Sequence, residues 1–300
     1  MKAVILAAGF GERLKPLTLK RPKTLMPVGN RPVINRIMHY LKKNGINEIT
    51  VTAHHHPRQL VSYLANGGPF GITLQVRVES KILGTGGGIK NVENLLGTDP
   101  FIVINGDILT NIDLSYAFEA HRKKRNLATL ILHDCKPFNQ IQIDQHFNVI
   151  DIAGDEKPGR LAFTGIHIIE PELLTYIVPG IFSNIIDCYR HLIKLGKPVG
   201  AYVSKGHYWR DIGTVESHIL ANKEILEGKA FLQDSGCRIH NSAKLKDWAI
   251  IGKTAHIEEG VEIRRSILWE NVKVKRGTKV IDSIITSSGE LDCDLIGGIL

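Results

Sequence analysis

The 300-residue chain is poor in cysteine, and its four cysteines, Cys135, Cys188, Cys237 and Cys293, stand far apart. No C-x-x-C pair occurs, which leaves out a disulfide framework and a zinc knuckle, and a reducing, cytoplasmic setting is the expectation. No apolar run approaches the ~20 residues that cross a bilayer, so no membrane partner is expected. The apolar stretch 3–8 follows one lysine and charge resumes at once, too short for the core of a signal peptide. The net charge is +8, but it is not gathered into a Lys/Arg block and no recognition motif accompanies it. Anionic small molecules rather than nucleic acid are therefore the expected partners. Two common phosphate-binding signatures are missing as well. A dinucleotide fingerprint would place a third glycine where Leu14 stands, and an acid where the second strand ends in His54-His55-His56. No G-x-x-x-x-G-K-[ST] run exists. A dehydrogenase and a P-loop enzyme both fit poorly.

What is present is an alternation of strand-like and helix-like segments over the first two thirds. Strands are expected at 3–7, 48–53, 72–78, 101–105, 127–132 and 199–203, several of them near-continuous β-branched runs of the kind buried on both faces. Helices are expected at 33–43, 57–65, 87–96, 113–124, 184–195 and 214–227. In the first of these Val33, Ile34, Ile37, Met38 and Leu41 share one face and Gly45 stops it. This predicts an α/β fold, Rossmann-like, with a mostly parallel sheet and helices on both faces. Ligands would sit at the carboxyl ends of its strands.

After about residue 230 the pattern changes. Ile239, Leu245, Ile251, Ile257 and Ile263 recur every six residues, and Leu268, Val274 and Val280 continue after one shift of register. Ala243, Ala249, Ala255 and Val261 run beside them, four positions after each aliphatic. Neither a helix nor a simple hairpin has a period of six. A parallel β-helix does, with three such units per turn, which predicts about three coils. So short a solenoid should lean on the first domain or on another subunit.

The most informative stretch is Leu6 to Pro27. An apolar strand opens into Ala7-Ala8-Gly9-Phe10-Gly11-Glu12-Arg13, and Lys23 follows between two prolines. Glycines let backbone N–H groups approach a phosphate, and two held cations can neutralise it. Gly9-x-Gly11 alone is also compatible with an ordinary strand-to-helix turn. His54-His55-His56 reads as a polar loop, and Lys123-Lys124-Arg125 as a solvated helix end.

The run L-A-A-G-x-G-x-R-L-x-P-L-T…P-K…P-V…P-V-I, unbroken from Leu6 to Ile34, resembles the signature of the sugar-1-phosphate nucleotidyltransferases. The resemblance implies that Leu6, Ala7, Ala8 and Gly9 meet a nucleotide base. Gly11 and Arg13 would hold its triphosphate, and Lys23 would lie between the nucleotide and sugar phosphates. Leu83-Gly84-Thr85-Gly86-Gly87 resembles the family's second base loop, through Gly84 and Thr85, and on its own also reads as a glycine-rich helix start. Asn105-Gly106-Asp107 follows a central strand, where the family's first magnesium ligand sits, which assigns Mg2+ to Asp107. Trp209-Arg210-Asp211 resembles the motif of the second ligand, Asp211, and Thr214 can cap the helix that follows. Glu156-Lys157-Pro158 resembles the family's sugar-phosphate element, and Phe163-Thr164-Gly165-Ile166 its glycine-containing strand beneath the sugar. The Y-G dipeptide that several members carry before that element is replaced by Pro137-Phe138-Asn139-Gln140.

By this resemblance residues 1–230 form the catalytic domain and 235–300 a left-handed β-helix through which the chain self-associates. The implied reaction joins an NTP and a sugar 1-phosphate to give an NDP-sugar and pyrophosphate, with Arg13, Lys23 and Asp107 as the catalytic residues. Mannose 1-phosphate with GTP is the favoured pair. Uridylyl or thymidylyl transfer to a glucose- or N-acetylmuramate-type phosphate, and a catalytically silent nucleotide-sugar-binding subunit, are the alternatives.

Overall fold

The computed structural model describes residues 1–65, 71–286 and 289–300. Its strands are β1 (Lys2–Ala7), β2 (Pro27–Val28), β3 (Arg31–Pro32), β4 (Glu48–Ala53), β5 (Thr73–Val78), β6 (Phe101–Asn105) and β7 (Ile108–Thr110), then β8 (Ala128–His133), β9 (Asn139–Ile143), β10 (Val149–Ile152), β11 (Leu161–Ile169), β12 (Val199–Val203) and β13 (Trp209–Asp211). The helices are α1 (Val33–Lys43), α2 (Pro57–Ala65), α3 (Gly84–Lys90), α4 (Glu93–Leu96), α5 (Leu114–Lys124), α6 (Ile185–Lys194) and α7 (Val215–Glu224). The chain divides into two compact units. One comprises Met1–Phe10, Pro22–Thr24 and Ile34–Asp211, the other Gly11–Arg21, Leu25–Val33 and Ile212–Leu300.

The first unit is built on a sheet ordered β10-β9-β11-β6-β1-β4-β5, with β8 paired to β11 and β12. Strands β6, β1, β4 and β5 run parallel, as do β8 and β12. The continuous β-branched runs explain this centre. Val4 and Val103 join a cluster with Ile89, Leu96 and Tyr189 from the surrounding helices, while the alternate residues Ile5, Ile102 and Ile104 are buried too. Both faces are therefore dry, as a parallel sheet requires. On α1 all five predicted core residues are buried. Asp113 caps α5 through the Ser115 N–H at 2.9 Å. The expected helix over 87–96 is instead two pieces, α3 and α4, separated by Asn91 and Val92. Strand β11 is antiparallel to β6, β8 and β9, a reversal the alternation did not disclose.

The second unit takes in α7, the β2–β3 ladder and residues 11–21 along with the tail. Thr214 caps α7 by a capping box with Ser217, which satisfies two otherwise orphaned N–H groups. The tail strands are β14 (Phe231–Gln233), β15 (Arg238–Ile239), β16 (Lys244–Ile251), β17 (His256–Ile257), β18 (Glu262–Leu268), β19 (Lys273–Val274), β20 (Lys279–Ile281), β21 (Ile284–Ile285), β22 (Glu290–Leu291) and β23 (Leu295–Ile296). All pair in parallel. Partners are first 18 residues apart, as Arg238 with His256, then 17, as His256 with Lys273, and 15 on the last rung, as Val280 with Leu295. The first of these steps is the register shift visible in the aliphatic series. Ile251, Ile257, Ile263, Leu268, Val274 and Val280 fill the interior, consistent with a parallel β-helix.

Each unit encloses a neutral histidine. His167 on β11 bonds the Tyr189 hydroxyl, and His218 on α7 meets the Asn222 amide at 3.3 Å. Burial pushes His167 down to about 3 and His218 down to about 4. The unfolded chain binds protons at these sites below about pH 6.5, and the folded chain does not. The stability each contributes is therefore complete above pH 6.5 and is lost as pH falls toward the folded values, by about 1.4 kcal/mol per pH unit per histidine. The urea midpoint is expected to fall steadily between pH 6.5 and pH 4.5, and His218→Gln to flatten that slope. A midpoint constant over the range would contradict it.

Candidate active site

The carboxyl ends of β1 and β6 lie side by side, with Leu6 in register with Asn105. Beyond them the backbones cross closely. The Gly106 N–H donates to the Leu6 carbonyl at 2.9 Å. A Cβ at Gly106 would lie 2.8 Å from that oxygen and 2.7 Å from Thr24 Cγ2. Gly106→Ala is accordingly expected to destabilise the fold by about 1–3 kcal/mol, the range for overpacking, since a carbonyl in a strand cannot retreat. Urea denaturation measures this, and an unchanged midpoint would contradict the crossing.

This crossing sets the position of Asp107. Its carboxylate is largely buried and accepts from Lys23 Nζ at 2.6 Å. Lys23 opens a single 3-10 turn, Lys23–Leu25, and its ammonium reaches over Gly9, where a Cβ would lie 3.5 Å from Nζ. Gly9, Lys23 and Asp107, distant in sequence, thus form one cluster.

Asp211 arrives from the other direction. The β13–β7 ladder sets Asp211 opposite Ile108, the residue after Asp107. Trp209, two residues before it, donates its indole N–H to the Thr164 carbonyl at 2.9 Å. Asp211 and Trp209 line an open cleft of about 180 Å³ together with Asn105, Phe138, Gln140 and Gly165. Gly165 has φ +74°, and a Cβ there would meet the Asn105 amide at 2.6 Å. Glycine is needed for both reasons. Thr164 also lines the cleft, but its hydroxyl is spent on the Ile131 carbonyl at 2.7 Å. Of the predicted sugar residues, Thr164 and Gly165 are at the cleft. Glu156 and Lys157 are exposed on the turn after β10, and the Lys157 N–H donates to the Asn139 carbonyl at 3.0 Å.

The second glycine loop is the start of α3. Gly84 has φ +72°, and a Cβ on Gly84 would meet the Ser183 carbonyl at 2.6 Å, one on Gly87 the Ile181 carbonyl at 2.7 Å. Thr85 Oγ1 accepts from the Ile185 N–H at 3.0 Å. Close packing against residues 181–185 explains this glycine run by itself. Under α3 lies Glu79, which no sequence pattern singled out. It is 4% exposed. Its Oε2 accepts from the Leu83 N–H at 3.1 Å, while Oε1 has no partner among the described residues. Burial pushes its carboxyl up, against the pull of that N–H and of His54. His54 is more than a polar loop residue: its Nδ1 meets the Glu79 carbonyl at 2.9 Å, and its ring stands edge-on to the exposed Phe10.

In the second unit Gly11 is left-handed, at φ 66°, and its carbonyl accepts from the Leu14 N–H at 3.0 Å and the Thr18 hydroxyl at 2.9 Å. The Arg13 side chain that this turn presents is exposed.

Two carboxylates at neighbouring strand ends offer hard oxygen donors, the chemistry a magnesium ion takes while retaining water and phosphate oxygens. Among the described residues no three His, Cys, Asp or Glu side chains gather into a metal-binding group. The donor set fits an ion shared with a phosphate substrate better than a closed protein cage.

Fold and site together define an α/β protein whose candidate site lies at the carboxyl ends of its parallel strands. The Nucleotidyl transferase family profile matches residues 2–228, and the chain belongs to that family. It is 27% identical to the mannose-1-phosphate guanylyltransferase of Mycobacterium tuberculosis, over 92% of this chain and 81% of that one. It is 33% identical to the N-acetylmuramate alpha-1-phosphate uridylyltransferase of Neisseria meningitidis, over 72% and 94%. The crystal structure of HddC from Yersinia pseudotuberculosis complexed with GMP-PN superposes with a TM-score of 0.66 at 25% identity, over 75% of this chain and 99% of that one. The protein is an enzyme of the sugar-1-phosphate nucleotidyltransferase class. Among the described residues no helix is long and apolar enough to cross a membrane.

Proposed function

We propose that the protein transfers a guanylyl group from GTP to mannose 1-phosphate, with residues 1–230 as the catalytic domain and 235–300 as a β-helix that mediates self-association in the cytoplasm. The observation that carries the site is the Lys23–Asp107 pair over Gly9. A phosphate oxygen of the sugar 1-phosphate attacks the α-phosphorus in line, the bond to the β-phosphate oxygen breaks, and pyrophosphate departs with that electron pair. No general base is needed, because the phosphate is already an anion. The protein's work is positioning and charge neutralisation.

Leu6, Ala7, Ala8, Gly9, Gly84 and Thr85 line the base, and Gly11 with Arg13 holds the departing pyrophosphate. Lys23 orients the attacking phosphate. Thr164 and Gly165 underlie the sugar, with Glu156 and Lys157 reaching its phosphate from their turn. Asp107 and Asp211 would hold magnesium, which supplies charge neutralisation on the phosphates when bound.

The guanylyl choice is supported by the Mycobacterium relative and by the HddC complex with GMP-PN. A uridylyl enzyme for an N-acetylmuramate-type phosphate is the second reading, favoured by the 33% identity to the Neisseria relative. A matrix of NTPs against sugar 1-phosphates with magnesium, read by pyrophosphate release, decides between them. Release with UTP alone would replace the guanylyl reading. Stoichiometric binding with no release from any pair would identify a silent binding subunit.

A further inference from the structure

On the tail, Ile250, Ile267 and Ile284 are in register on successive rungs. Each precedes a residue of the interior column, Ile251, Leu268 and Ile285. Alternate residues of a strand point to opposite faces, so the first three form a column on the outside. A β-helix coil needs only the inner column, and an outer one facing water would be polar. Here it is aliphatic and buried, because Leu14, Leu17 and Met26 cover it, joined by Trp269.

Three polar contacts add to this cover. Arg21 stacks on the Trp269 ring, 4.9 Å from its centroid, and forms a bidentate pair with Glu270. The Asn30 amide donates to the Ile251 carbonyl at 2.9 Å. The Gly29 N–H donates to the Asn222 side chain of α7 at 2.9 Å. Trp269 is itself buried, yet its indole N–H has no acceptor among the described residues. A buried unmet donor is unfavourable, and a phenylalanine would avoid it. What the indole supplies is area against the loop and a face for the guanidinium. The rung that carries it is fixed by Gly252, where a Cβ would lie 2.5 Å from the Trp269 carbonyl carbon.

We infer that Trp269, Glu270 and Arg21 are positioning residues: the outer face of the tail holds the turn that presents Gly11 and Arg13, and so sets the affinity for the triphosphate. This rests on the reading of Gly11 and Arg13 as triphosphate ligands. Backbone groups and an exposed arginine on a short turn hold a phosphate more tightly when the turn is fixed in advance, because less ordering is left to be done on binding.

The test uses the full-length chain and measures the GTP dissociation constant by equilibrium dialysis alongside steady-state constants. Glu270→Gln and Trp269→Leu are each expected to weaken GTP binding and raise its KM about tenfold, with KM for the sugar phosphate and kcat within twofold. Amide exchange over residues 11–21 should quicken. The charge exchange Arg21→Glu with Glu270→Arg should recover much of the affinity. Arg265→Ala, which removes the exposed pairs to Asp247 and Asp282, should leave every constant unchanged. Where Trp269→Leu fails to fold, Glu270→Gln carries the test alone. Unchanged GTP affinity in a folded Glu270→Gln variant overturns the inference, as does an equal fall in all constants. A wild-type chain that binds none of the NTPs overturns the parent reading first.

Discussion

Asp107→Asn is expected to reduce pyrophosphate release at least 10³-fold, with the fold retained. The carboxylate sits where the chain leaves β6, held by the Gly106–Leu6 crossing, so it is fixed before any substrate arrives. Preorganised charge of this kind costs no rearrangement during reaction, and single groups that stabilise a transition state are worth about 10²–10³ in kcat. Asp107 does two things at once. It is an oxygen donor for magnesium in the proposed reaction, and it holds Lys23 at 2.6 Å. Asparagine removes the charge behind both roles, which places the effect at the upper end. Asparagine keeps the shape and one acceptor, so Lys23 retains a partner and the thermal midpoint should move little. Alanine would leave the ammonium unpaired in a largely buried place and should cost stability as well. Asp211→Ala is expected to abolish release as well, because Asp211, set opposite Ile108 by the β13–β7 ladder, is the second oxygen donor of the proposed magnesium site. A folded Asp107→Asn variant retaining a tenth of wild-type turnover would remove Asp107 from the machinery.

The parts of this site that could be read from the chain are those whose chemistry is local. The β-branched runs of β1, β4 and β6 declare strands buried on both faces, and the side-chain face of α1 declares its packing. Lys23 and Asp107 were picked out by neighbours in sequence, and they meet in space. What stayed hidden depends on pairings between distant segments. β11 inserts antiparallel between β6 and β8, and nothing in its composition states a direction. β7 and β13 have three residues each, too few for any period, yet their pairing brings Asp211 beside Ile108. The run Leu83–Gly87 reads either as a base loop or as a glycine-rich helix start, and its close contacts with Ser183 and Ile181 come from a segment nearly a hundred residues away. Glu79 carries no signal, because a single glutamate after a strand is ordinary until α3 closes over it. The outer column was legible in principle. The doublets Ile250-Ile251, Ile267-Leu268 and Ile284-Ile285 put an aliphatic residue on each side of a coil, and of these only Ile251 and Leu268 belong to the six-residue series.

Lys23→Met should be nearly as damaging to turnover, with a different signature. Methionine keeps most of the stem and removes the charge. The side chain has 16% of its surface exposed and its partner 11%, so the pair lies between exposed ion pairs, worth about 0–1 kcal/mol, and buried ones, whose breaking costs about 3–5 kcal/mol. A stability loss of about 1–3 kcal/mol is expected on that basis. The kinetic effect should be larger, 10²-fold or more in kcat, because the cation would act on the attacking phosphate during charge transfer. Asp107 would at the same time lose its internal counter-charge, so magnesium affinity should rise while turnover falls. Those opposite movements separate a catalytic lysine from one that merely neutralises a carboxylate. Lys23→Arg should not restore activity. The ammonium lies close over Gly9, and a planar guanidinium is larger and presents its donors in a fixed fork. A Lys23→Met variant with normal kcat and unchanged magnesium dependence would return Lys23 to a structural ion pair, and the charge opposing the phosphates would then have to come from Arg13 and the metal alone.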